Sequence, residues 1–151
     1  MKKWIYGIIL IICICVGGFC AYQAWQIYNE DNEVELQTDK IKKECVEKKN
    51  ENGEQILSPD WNALKTINPD IVGWIYVPDC AISYPVVQGT NNSYYLDHTI
   101  YKGYNYIGSA FLDCNTNRDF SDDNNIIYGH SVQGGGMFTL LKNYSSKSFF
   151  D

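Results

Sequence analysis

One histidine stands at a position in this chain that indicates chemistry. It is His130 in NIIYGHSVQGGGMFTLL (125–141), and the 151 residues contain only two histidines. The apolar run before it is typical of a β-strand, so His130 lies where a strand passes into a loop, and loops on a rigid scaffold often carry function. An imidazole with an ordinary pKa near 6.5 exchanges a proton at neutral pH. These residues alone leave a general acid–base role and a structural role open.

Few other residues have the types or spacing to act with His130. The second histidine, His98 in YYLDH, is typical of a side chain that packs or caps near a loop. The glycines 134–136 lack the spacing of phosphate-binding and dinucleotide-binding loops and are typical of a flexible turn. No His/Cys group has zinc-ligand spacing, so we predict neither a metal nor a cofactor.

Six cysteines divide into two groups of three. The first three, within residues 13–20, belong to an apolar segment and are small apolar residues there. The others are Cys45, Cys80 and Cys114, an odd number that argues against a complete disulfide framework. The sequence leaves a single bridge, such as Cys80–Cys114, open.

The elements that would position His130 are short strands. Segments rich in β-branched and aromatic residues predict them, and these are GWIYV (73–77), AISYPVV (81–87), YNYIGSAFLD (104–113) and NIIYG (125–129).

Short helices are predicted on either side of these strands. Ser58-Pro59-Asp60 is typical of a helix start, with Ser58 as the N-cap and Pro59 in the first helical position. Near the other end, the apolar residues of 137–144 recur with the spacing of one helix face. We therefore predict a mainly β fold with short helices, of the α+β class.

The N-terminus predicts a membrane anchor. WIYGIILIICICVGGFCAY (4–22) is uncharged and as a helix would span about 28 Å, close to the hydrocarbon core of a bilayer. The absence of an A-x-A-like site, and the large Phe19 before Cys20, favour an uncleaved signal anchor over a cleaved signal peptide. Lys2 and Lys3 precede the run and acidic residues follow it, which predicts a cytosolic N-terminus and an extracellular remainder.

The domain organisation follows from composition. We predict a cytosolic N-terminus (1–3), a transmembrane anchor (4–22), an acidic helical stalk or linker (23–57) and a domain from 58 to 151. All 18 acidic residues but only 10 of the 12 basic ones follow residue 3, so that part has a net charge of −8. This charge excludes the basic face that a nucleic-acid partner requires.

Several segments in this order resemble the class B sortases. They are NPDIVGWIYVPDCAISYPVVQG (68–89), NNSYYLDH (91–98), GSAFLD (108–113) and NIIYGHSVQGGGMFTLLKNY (125–144). The resemblance implies a helix-decorated β-barrel and a membrane-anchored cysteine transpeptidase of Gram-positive bacteria. In that family a cysteine attacks the carbonyl after Thr in a C-terminal sorting signal, here expected to be of the Asn-Pro-x-Thr type, and forms a thioester. An amine of peptidoglycan or its lipid-linked precursor then releases the surface protein.

By motif position, the resemblance makes His130 the general acid and base. The family's cysteine and its oxyanion-stabilising arginine follow the histidine, but this sequence has neither residue type after His130, and its one arginine, Arg118, lies upstream. We therefore expect a truncated catalytic domain that is inactive by itself, with its closing strands missing. Cys114 as a substitute nucleophile is disfavoured. The alternatives are a non-catalytic membrane-tethered remnant and an extracellular binding module.

Overall fold

The computed structural model describes residues 2–53, 55–132 and 135–150, and it divides into two compact units, Met1–Glu33 and Val34–Asp151. Helix α1 covers Lys2–Ile41. Within the first unit, the side chains of residues 4–25 are exposed, and an 18-residue window has a mean hydropathy of 2.4. Among the described residues, this helix is the one with the length and composition to cross a membrane. Hydrocarbon would solvate so large an apolar surface better than water does.

The second unit begins inside the predicted stalk. The end of α1 continues as a π-helical turn, Lys42–Val46, and then as a hairpin of β1 (Glu47–Lys49) and β2 (Gln55–Leu57). The side chains of Ile41, Cys45 and Val46 are buried in the core. The polar composition of residues 34–57 therefore conceals a narrow apolar helix face, and this part of the predicted linker belongs to the folded unit.

Helix α2 covers Trp61–Ile67, and its cap differs from the sequence prediction. Asp60 is the N-cap, and its carboxylate accepts hydrogen bonds from the backbone N–H groups of Asn62 and Ala63, both at 3.1 Å. The prediction of Ser58 as the cap, with Pro59 in the first helical position, is wrong, because the backbone becomes helical only after Asp60, whose own N–H donates to the Cys45 carbonyl at 2.7 Å.

A four-stranded sheet forms the centre of the unit, with strand order β3-β4-β5-β6 among the described residues. The strands are β3 (Ile71–Val77), β4 (Ile82–Val87), β5 (Ala110–Leu112) and β6 (Ile127–Tyr128). β4 pairs antiparallel with β3 and parallel with β5, and β6 pairs antiparallel with β5. Every residue of β4 is buried, as expected for an inner strand. The mix of helices and sheets confirms the predicted α+β class.

Two predicted elements are shorter or tighter than expected. The strand predicted at 104–113 is reduced to β5, because Asn105 Oδ1 accepts the Ile107 N–H at 3.0 Å and Gly108 adopts φ +63°, so the chain turns just before it. The helix predicted at 137–144 is a 3₁₀ turn, Thr139–Ser145, which follows a left-handed Met137 (φ 45°) and precedes a short α3, Lys147–Phe150. The left-handed residue prevents a regular α-helix from starting at 137.

A buried polar network orders residues 88–109, which connect β4 to β5. The buried Asn68 donates through Nδ2 to the Ile100 carbonyl at 2.8 Å and to the Tyr95 hydroxyl at 3.0 Å. The Tyr95 hydroxyl donates in turn to Asp70 at 2.7 Å, and Asp70 pairs with Lys102 at 2.9 Å. Each buried polar group in this chain of contacts is paired, which favours one conformation of the connection.

The cysteines of the second unit are free thiols. Cys45 and Cys80 are buried, and Cys114 is half-buried. The bridge between Cys80 and Cys114 that the sequence left open is therefore not formed.

Candidate functional site

His130 lies one residue after the short strand β6, which is at the edge of the sheet among the described residues. β6 is in register with β5 through the pairs Phe111–Tyr128 and Leu112–Ile127. Between the strand and His130 lies Gly129, where an added Cβ would meet the Phe138 ring at 2.7 Å. The ring therefore occupies the place of a side chain at 129 and packs against the backbone immediately before His130, whose own side chain is half-buried.

The chain after His130 folds back on itself. The Phe138 N–H donates to the His130 carbonyl at 3.0 Å, and Ser131 forms an isolated β-bridge with Met137. The Thr139 hydroxyl accepts from the Val132 N–H at 2.7 Å and donates to the Val132 carbonyl at 3.0 Å. His130 is thus fixed through backbone contacts from both arms of this turn.

The glycine-rich segment supplies the tip of the turn. Gly135 and Gly136 adopt φ +109° and +87°, which L side chains rarely adopt, so glycine is needed there. Gly134, the first glycine of the predicted flexible turn, and its neighbour Gln133 lie outside the described residues.

A polar cluster lies near the start of β6. The Asp113 carboxylate accepts from Asn92 Nδ2 at 2.7 Å and from the Tyr128 hydroxyl at 3.0 Å. Hydrogen bonds, first from the Asn115 backbone and then from Asn92 and Tyr128, hold the pKa of Asp113 below its usual value. The same carboxylate raises the pKa of Tyr128. Tyr128 is the last residue of β6 and lies two positions before His130 in the chain.

The topology separates Cys114 from His130. Since β5 and β6 are antiparallel, the chain reaches His130 at the end where β5 begins, whereas Cys114 lies beyond the other end of β5. Extended chain from Ala110 to Cys114 covers about 13 Å. This separation disfavours Cys114 as a nucleophile for a base at His130.

Arg118 and His98 have contacts of their own. Arg118 donates to the Pro69 carbonyl at 3.2 Å, just before β3. The His98 ring stacks on Tyr94 with centroids 4.1 Å apart, and its Nδ1 lies 2.7 Å from Asp97. These contacts agree with the prediction that His98 packs near a loop. Within residues 2–53, 55–132 and 135–150, no three His, Cys, Asp or Glu side chains are grouped as metal ligands.

Sequence reasoning found His130 but missed the residues that support its backbone. Phe138 and Thr139 lie in a segment whose apolar spacing predicts only a helical run. The sequence signal that was present is Gly129, because a glycine between a strand and a candidate functional residue is typical of a close approach by another group. A half-buried imidazole on a fixed backbone is suited to proton transfer with a group that approaches its exposed side.

No protein-family model matches the chain. It is 31% identical to Sortase B of Staphylococcus aureus (strain NCTC 8325 / PS 47) over all of its own length, and this match covers 61% of that relative. It is 39% identical to Sortase B of Listeria monocytogenes serovar 1/2a over 66% of its length, and this match covers 40% of that relative. The chain therefore spans between two fifths and three fifths of these curated relatives.

Solved structures agree with the sequence matches. The sortase B of Bacillus anthracis in complex with AAEK1 superposes with a TM-score of 0.68 at 31% identity, over 83% of this chain and 58% of that one. The Staphylococcus aureus sortase B–substrate complex gives a TM-score of 0.65 at 30% identity, over 80% of this chain and 56% of that one. With sequence identity and fold in agreement, the chain belongs to the class B sortases, of whose curated members it spans a part.

Proposed function

We propose that the chain contributes the histidine-bearing part of a class B sortase, a cysteine transpeptidase that attaches surface proteins to peptidoglycan. The observation that carries the proposal is the fixed position of His130 at the end of β6, in a chain with Sortase B similarity along its whole length. The expected substrates are proteins with a C-terminal sorting signal of the Asn-Pro-x-Thr type. The Staphylococcus aureus relative has been solved as a complex with substrate, which supports a substrate of related chemistry here.

The proposed mechanism assigns a proton-transfer role to His130. A cysteine thiolate attacks the carbonyl carbon after Thr, the amide C–N bond breaks, and His130 gives a proton to the departing amine. His130 then takes a proton from the incoming peptidoglycan amine as it attacks the thioester, and the cysteine leaves as thiolate. By family resemblance, the cysteine and the arginine that stabilises the oxyanion follow the histidine, and this sequence has neither residue type after His130.

The decisive experiment compares two proteins on a fluorogenic Asn-Pro-x-Thr peptide. One is the 151-residue chain, and the other is the same chain extended by the C-terminal part of the Staphylococcus aureus relative. We expect turnover only in the extended chain, and we expect His130→Ala to lower its rate by at least ~100-fold, the usual scale for a general acid–base. The matched control is His98→Ala, which should change the rate by no more than a few-fold.

Three results would count against this assignment. Turnover by the 151-residue chain that disappears in Cys114→Ala would identify Cys114 as the nucleophile. Equal losses in His130→Ala and His98→Ala would remove the special role of His130. An extended chain that binds the peptide without turnover would favour the alternative of a membrane-tethered binding module.

We also propose that residues 4–22 anchor the chain in the cell membrane with the N-terminus in the cytosol. The apolar exposed run and the lysines before it support this topology. Protease added to intact protoplasts of a Gram-positive host should remove a C-terminal tag and leave a small membrane-bound stub. Protection of the tag until the membrane is lysed would reverse the orientation.

A further inference from the structure

The Tyr84 hydroxyl joins two segments that are distant in sequence. Tyr84 lies on β4, and its side chain is buried. Its hydroxyl donates to Glu35 Oε1 at 2.7 Å and accepts from the Met137 N–H at 2.8 Å. Glu35 lies on the last turns of α1, within the compact unit 34–151, and Met137 lies on the turn that follows His130. A single buried hydroxyl therefore connects the helix end to the turn.

The bond at Met137 acts on the backbone at His130. Met137 pairs with Ser131, which directly follows His130, and the next residue, Phe138, donates its N–H to the His130 carbonyl. A hydrogen bond that holds the Met137 N–H therefore also holds the backbone of residues 137 and 138, which contacts the backbone of Ser131 and His130. Met137 itself adopts φ 45°, an unfavourable value for a residue with a side chain, so its position needs such outside contacts.

Glu35 holds the Tyr84 hydroxyl in the orientation that this contact needs. Because the Tyr84 hydroxyl donates its hydrogen bond to Glu35, a lone pair of the hydroxyl oxygen is directed to the Met137 N–H. Burial, and then the hydrogen bond to Glu35, raise the pKa of Tyr84, so the hydroxyl stays protonated at physiological pH. The glycine at 136 leaves room for this carboxylate, since a Cβ there would lie 2.8 Å from Glu35 Oε1.

We propose that Tyr84, oriented by Glu35, is a positioning residue for His130. It fixes the backbone of Met137 and Phe138 against Ser131 and His130, and thereby the direction in which the imidazole is presented. The functional meaning of this contact rests on the proposed acid–base role of His130. The contact itself can be tested without any activity.

The test uses the full 151-residue chain in detergent micelles. NMR relaxation measures the order of the His130 Cε1–H group, and hydrogen exchange measures the protection of the Met137 and Phe138 amides. In Tyr84→Phe, which keeps the ring and removes the hydroxyl, we expect a lower His130 order parameter and at least a tenfold faster exchange of both amides. The sheet amides of Val86 and Phe111 should keep their protection.

Variants at Glu35 separate positioning from general stabilisation. Glu35→Ala should reproduce the effect of Tyr84→Phe, whereas Glu35→Gln, which still offers a carbonyl oxygen to the hydroxyl, should restore most of the order at His130. The matched control is Tyr76→Phe on β3, where the side chain is exposed. If Tyr84→Phe does not fold, Glu35→Ala provides the same test with the tyrosine in place.

Two results would overturn the proposal. One is an unchanged His130 order parameter in both Tyr84→Phe and Glu35→Ala. The other is a loss of protection that extends equally to the sheet amides, which would show a merely structural role for the hydroxyl. Neither result depends on peptide turnover, so a failed acid–base assignment of His130 would be recognised separately, in the extended chain.

Discussion

Replacing Ile41 by alanine should destabilise the folded unit 34–151, although Ile41 lies in a stretch whose composition predicts a solvated stalk. Its side chain is fully buried and belongs to the same core cluster as Leu64, Ile71 and Phe111. Replacing a buried isoleucine by alanine removes that apolar contact and leaves a cavity, which costs about 2–5 kcal/mol. We expect a loss of this size for Ile41→Ala. The matched control is Leu36→Ala on the same helix, where the side chain is 70% exposed and the expected change is within about 0.5 kcal/mol.

The thiol of Cys45 offers a local readout of this unfolding. Cys45 is buried one helical turn after Ile41, and burial, with a smaller effect of Glu44, raises the pKa of its thiol. It should therefore react slowly with an alkylating reagent until the unit opens. The assay is alkylation across a urea series in detergent, quantified by mass spectrometry of the Cys45 peptide. For a slope near 2 kcal/mol per M, Ile41→Ala should lower the urea midpoint by roughly 1–2.5 M.

The control decides how the result is interpreted. If Ile41→Ala and Leu36→Ala have the same midpoint, residues 34–57 do not contribute to the core and the linker interpretation from composition is correct. Fast alkylation of Cys45 in the unaltered chain without urea would lead to the same conclusion.

Two further predictions concern residues 88–109, which connect β4 to β5: one is the effect of a glycine substitution on the thermal midpoint, and the other is the pH dependence of stability. Gly108→Ala should lower the thermal midpoint strongly, because Gly108 has a left-handed φ and an added Cβ would overlap the Tyr95 carbonyl oxygen. The control is Gly103→Ala, where there is room for a Cβ and the thermal midpoint should stay the same. Equal thermal midpoints in the two variants would contradict this packing. Partial burial alone would raise the pKa of Asp70, but hydrogen bonds from Lys102 and Tyr95 outweigh it and lower the pKa below its usual 3.8. The resulting stability is fully present well above the unfolded-state pKa of 3.8 and is lost as pH falls through the lower pKa of the folded state. Lys102→Met should therefore flatten the decline in urea midpoint between about pH 5 and pH 2.

The sequence was most informative where one local signal dominates. β3 and β4 are rich in β-branched and aromatic residues and were predicted to within two residues at each end. The strand before His130 was found because NIIYG has the same composition. Such strands are stabilised by contacts that their own side chains make on both faces, and residue type alone records this tendency.

The sequence failed where a distant partner decides the structure. Ser58 has the residue type of a helix cap, but the N–H groups of Ser58 and Asp60 donate to the Val46 and Cys45 carbonyls, and the helix begins only after Asp60. No local pattern reveals these two contacts. The strand predicted from 104 was shortened by the bonds of Asn105 and by the left-handed Gly108. The support of His130 by Tyr84 joins residues more than forty positions apart, and a single sequence holds no record of that pairing.

The parallel pairing of β4 with β5 has a consequence for the order in which the unit folds. β3 and β4 join through the tight turn Pro78–Cys80, so their contacts form at little cost in loop closure. β5 can pair with β4 only after residues 88–109 are ordered, and that ordering requires the long-range bonds of Asn68 and Tyr95. We therefore expect the β3–β4 hairpin to form early and the β5 pairing to limit the folding rate, as contacts of high sequence separation usually do. Among the strands of the described residues, β6 pairs with β5 alone, so the segment that carries His130 would be among the last to reach its native position.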